Sequence, residues 1–245
     1  ANLATRGTET RSATEISRQI ESLGASLNAS AGADATDVSV SARSDNAKDV
    51  LAIMADVVQN PAFAAEELDR AKQETLDGLM VSLRQPRAIG SFAMNRALYG
   101  DGPYGGTPSP KSIGALAQED IAGFQKANWR PDNAVLVIAG DISADGGFAL
   151  AESTLGSWAR PETPPPTTTA GAAKASKAGA IAIDVPQIGQ AAVFLGRTGP
   201  ARTAADSTKR LFGSSTVSTQ VCAPAGVLPN STCRAISRAR RASWS

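Results

Sequence analysis

The sequence predicts an α+β fold, with helices layered on a mainly antiparallel sheet. Three observations carry that expectation. Apolar residues recur at helical spacing through most of the first 160 positions. A pair of short alternating segments, Ser26–Ala31 and Asp37–Ala42, flanks a turn at Gly32–Thr36 and reads as a hairpin. A continuous apolar run from Asn133 to Ala139, bounded by Asp132 and Gly140, has the composition of a central strand.

Each element has a local cause. Ser12 followed by Glu15 is a capping-box pattern that opens a helix carrying Ile16, Ile20 and Leu23 on one stripe, and Gly24 ends it. In the hairpin, Val38 and Val40 alternate with polar neighbours, while Ala29, Ser30 and Ala31 are small enough to let another backbone approach. Val50, Leu51, Met54, Val57 and Val58 define the face of a second helix that stops at Asn60-Pro61. A third starts near Ala64, with Glu66 and Glu67 in its first turn where they favour the helix dipole. Leu68, Ala71, Thr75, Leu76, Leu79 and Leu83 form its expected inner face, and Pro86 closes it. Gly78 lies inside this helix, where it costs about 1 kcal/mol relative to alanine, so it needs either close packing or a lost function to explain it. Further helices are expected around Ile89, Phe92, Ala93 and Leu98, after the Ser109-Pro110 cap, over Gln118–Asn128 with Ile121 and Phe124 inward, and from Ser143 to about Trp158.

The chain divides by composition. Residues 1–159 form an N-terminal α+β domain, and 160–179, RPETPPPTTTAGAAKASKAG, form an extended Pro/Thr/Ala-rich linker. Residues 180–206 open a second domain with strands at Ala180–Val185 and Gln190–Gly196, and 207–245 form a basic tail that reads as out-of-frame or otherwise non-native. Of 24 basic and 23 acidic residues, six basic and none acidic fall in that tail, leaving 18 against 23 over residues 1–206. The folded part is therefore acidic, which argues against nucleic-acid binding. No apolar run approaches a membrane-spanning length, and no signal peptide is expected at the start. With no histidine among 245 residues, a serine triad is excluded. Glu66/Glu67 and Glu119/Asp120 are helix-start residues, and GDGPYGG is a turn after a helix, not a phosphate loop.

The run SRQIESLGASLNAS, followed at matching distances by VLAIMADVVQNPAFAAEELDRAKQETLDGL and by NWRPDNAVLVIAGDIS, resembles the insulinase/pitrilysin family of inverted zincins. Mitochondrial processing peptidases and the core subunits of the respiratory bc1 complex are members. The resemblance implies an HxxEH site in active members, with two His ligands, a Glu base and a distal Glu ligand seventy-six residues beyond the second His. Carried across, the base falls at Ala1, the second His at Asn2 and the distal ligand at Gly78, while an accessory acidic position falls on Ala71. The first His would precede Ala1. The resemblance also matches Leu27, Asn28, Ala29 and Ser30 to an edge strand that holds peptide through its backbone in active members.

The expected role is that of a non-catalytic half with no metal or other cofactor of its own, zinc being expected only in a partner half. That partner is an active insulinase-like half, in the same chain or as a heterodimer, and extended peptides are the ligands of the shared chamber. Two alternatives are a structural subunit like the bc1 core proteins and a piece of an active zinc endopeptidase whose motif lies elsewhere. The compartment stays open, with the bacterial periplasm or another extracytoplasmic site preferred to the cytoplasm.

Overall fold

The first helix forms as its end signals require. Ser12 Oγ accepts from the Glu15 amide while the Glu15 carboxylate accepts from the Ser12 amide at 2.8 Å, closing a capping box on α1 (Ala13–Ser22). Gly24 follows at φ +60°, a left-handed conformation that suits glycine. These details come from a computed structural model that describes residues 1–32, 34–166, 179–186 and 191–197.

A 3-10 turn over Asn2–Arg6 precedes α1. Strands β1 (Ser26–Ala31) and β2 (Thr36–Ser41) pair antiparallel, Leu27 opposite Val40 and Ala31 opposite Thr36, so β2 starts one residue before the sequence expectation. Helices α2 (Ala47–Gln59), α3 (Ala65–Ser82), α4 (Pro86–Tyr99), α5 (Pro110–Gly114), α6 (Gln118–Asn128) and α7 (Ala144–Leu155) follow. The fold is α+β, and among the described residues its sheet has two strands.

The core sits between α1, α2 and the inner face of the hairpin. Ile16 and Ile20 from α1 meet Val50, Ile53 and Val57 from α2, with Ala4 and Phe63 completing the cluster and Leu27 and Val40 packed against it. Two valines, Val50 and Val57, are fully enclosed. Phe63 has φ +47°, unusual for a bulky residue, and holds it by burying its ring in this core. Helix α2 buries Ile53 and Ala55 in addition to most of the expected face.

Several expectations are corrected. Thr75, Leu83 and Phe124 are exposed, Phe124 by 60%, although Leu79, one turn from both Thr75 and Leu83, is buried and Ile121, one turn before Phe124, packs against the core: the cover over α3 and α6 is local and does not run the length of either helix. Residues 134–139 are not a strand: no other described segment pairs with them, and Val135 and Val137 are 90% and 80% exposed. Apolar composition favours a buried strand, but only a neighbouring backbone can supply the ladder. The described parts of the two later strand expectations, 180–185 and 191–196, also carry no ladder. Residue 190, most of the 160–179 linker and the whole 207–245 tail lie outside the described residues.

Candidate functional site

The 3-10 turn with its preceding residue, Ala1, and α3 carry the positions to which the resemblance assigns base and ligands, and a charged tie joins the two elements. Arg6 leaves the turn and its guanidinium meets the Glu74 carboxylate through two contacts, Nη2–Oε2 at 2.6 Å and Nη1–Oε1 at 3.3 Å. A third contact reaches Glu67 Oε2 at 3.6 Å, and Glu67 is also held by Arg70 at 2.9 Å. Glu67, Ala71, Glu74 and Gly78 recur at i, i+4, i+7 and i+11, so they share one stripe of α3. The hydrogen bond from Arg6 holds the Glu74 carboxyl below its ordinary value.

Ala1 and Asn2 are exposed at the start of the turn, where their carbonyls accept from the Ala4 amide at 2.9 Å and the Thr5 hydroxyl at 2.9 Å. Gly78 is exposed on α3, and a Cβ added there would meet nothing within 4 Å. Close packing is thereby removed as the reason for this glycine. The structure thus brings together the elements bearing Asn2 and Gly78, but neither residue offers a zinc ligand, and the nearby carboxylates are engaged by arginines. This donor set does not fit zinc, which takes imidazole, thiolate or carboxylate in a tetrahedral set. Among the described residues no group of three or more His, Cys, Asp or Glu could hold a metal ion.

A second network fixes the loop that leads from the turn into α1. Asp56, on α2, accepts from Thr8 Oγ1 at 2.6 Å, Thr10 Oγ1 at 3.1 Å, Arg11 Nη1 at 2.5 Å and Asn60 Nδ2 at 3.0 Å. Burial works to raise its pKa, but the hydrogen bonds from Thr8, Asn60, Arg11 and Thr10 outweigh that and hold it below the ordinary aspartate value. Backbone bonds Glu9 N to Asn60 O at 3.0 Å and Ala62 N to Gly7 O at 3.1 Å close the same junction.

The candidate peptide-contacting strand is β1. Leu27 and Ala29 are half-buried, whereas Asn28 and Ser30 are exposed. Among the described residues no strand pairs with the outer edge of β1, so its outward-facing amides and carbonyls meet no ladder partner there. Tyr104, from the loop after α4, donates to Asp34 at 2.5 Å and pins that loop to the hairpin turn. Sequence reasoning missed the Arg6–Glu74 tie and the Asp56 hub. Their only local signals were Glu67 and Glu74 one heptad apart and the cluster of Thr and Arg at positions 8–11.

Comparison with known proteins decides the family. The model of insulinase (peptidase family M16) matches residues 1–105, and that of the peptidase M16 inactive domain matches residues 115–219. The chain belongs to the insulinase peptidase family. An uncharacterized zinc protease of Rickettsia bellii is 30% identical over 145 residues, covering 58% of this chain and 35% of that protein. A probable mitochondrial-processing peptidase subunit beta of Schizosaccharomyces pombe is 29% identical over 164 residues, 63% of this chain and 34% of its own length. This insulinase-family chain thus spans about a third of the length of the curated relatives it matches. Among solved structures, a peptidase M16 inactive domain from Pseudomonas fluorescens superposes with a TM-score of 0.66 at 24% identity, covering 72% of this chain and 43% of that one. The first half of the periplasmic protease PqqL from Escherichia coli gives 0.60 at 17% identity, covering 71% of this chain and 39% of that one. These structures show the shared fold. No helix among the described residues is long and apolar enough to cross a membrane.

Proposed function

We propose that this chain is a non-catalytic insulinase-family half that packs against an active, zinc-bearing half and closes a peptide-holding chamber with it. The active half lies in the same chain or in a separate subunit, and zinc belongs to it alone. The observation that carries this reading is the donor set: Ala1, Asn2 and Gly78 stand where the family resemblance puts base and ligands, and the whole sequence has no histidine. The open space around Gly78 supports it, since the glycine has no packing role that would explain it. The contribution of this half is surface and shape, with the outer edge of β1 as its peptide contact through backbone hydrogen bonds. An extracytoplasmic location belongs to the same proposal.

The test uses the purified chain with and without an active insulinase-family half from the same genome. The expected result is no chelator-sensitive peptide cleavage by the chain alone, cleavage by the pair, and exchange protection of residues 26–31 on titration with an extended peptide. Chelator-sensitive cleavage by the chain alone, with stoichiometric zinc by metal analysis, overturns the reading. Assembly with a partner without any protection of β1 points instead to a structural subunit.

A further inference from the structure

We draw no further inference here: the strongest candidate, the open apolar groove that α7 forms with the apolar run at 134–136, lined by Leu136, Phe148, Leu155 and Trp158, carries nothing because nothing in the structure shows what covers it.

Discussion

Replacing Gly78 by alanine removes the one residue of α3 whose cost nothing nearby offsets. Gly78 lies four residues inside the end of an 18-residue helix, so the alanine gain there is that of a helix interior, about 0.8–1 kcal/mol. No steric deduction applies, because nothing lies within 4 Å of the added methyl group. With a urea m-value of about 2 kcal/mol/M, the denaturation midpoint should rise by about 0.4–0.5 M at unchanged slope. Helical circular dichroism against urea measures both quantities. Gly90→Ala is the matched comparison: the same propensity gain meets the Phe194 ring, so its midpoint should rise less, or fall. A Gly78→Ala variant no more stable than the parent would mean that the residue is in contact after all, and its glycine could no longer be read as the mark of a lost ligand.

Other outcomes follow from the networks around the turn. Asp56→Ala leaves Arg11 and the buried Thr8 without their shared acceptor and should cost about 3 kcal/mol in the same urea assay. Because the folded pKa of Asp56 is lowered, its stabilisation is present above the ordinary aspartate value of about 4 and is lost as pH falls through the lower folded value. The native chain should therefore lose more stability than Asp56→Asn on acidification below about pH 4, measured by thermal melts. Arg6→Gln should give a smaller, salt-sensitive loss that shrinks in about 1 M salt, where the screening length is about 3 Å, since the Arg6–Glu74 pair is partly open to water. Ser12→Ala removes the cap of α1 and should cost about 1 kcal/mol.

Much of the fold was legible in the residues. The Ser12/Glu15 box, the Ile16–Ile20 stripe, the hairpin and the Asn60-Pro61 break are local signals, and each produced its element within a residue or so. Periodicity was less informative where a helix is covered over only part of its length: Thr75 and Phe124 fit an inward pattern, yet both are exposed while Leu79 and Ile121, a turn away, are buried or packed against the core. The apolar run at 134–139 shows the same gap on the strand side. Its Ala134 and Leu136 border an open groove of ≈ 590 Å³ together with Phe148, Leu155 and Trp158, but both stay exposed and no described backbone lies alongside to pair with the run.

From the chain of letters alone came the capped helices, the paired hairpin and the lack of any imidazole, because caps, turns and composition depend on residues a few positions apart or on none at all. The folded arrangement decided the rest: that Arg6 joins Glu74 across 68 positions, that Asp56 gathers a loop 45 to 48 positions away, and that one helical glycine faces open solvent while another holds a phenylalanine ring. Such contacts depend on the path of the chain between their partners, and no local pattern of apolar and polar residues encodes that path.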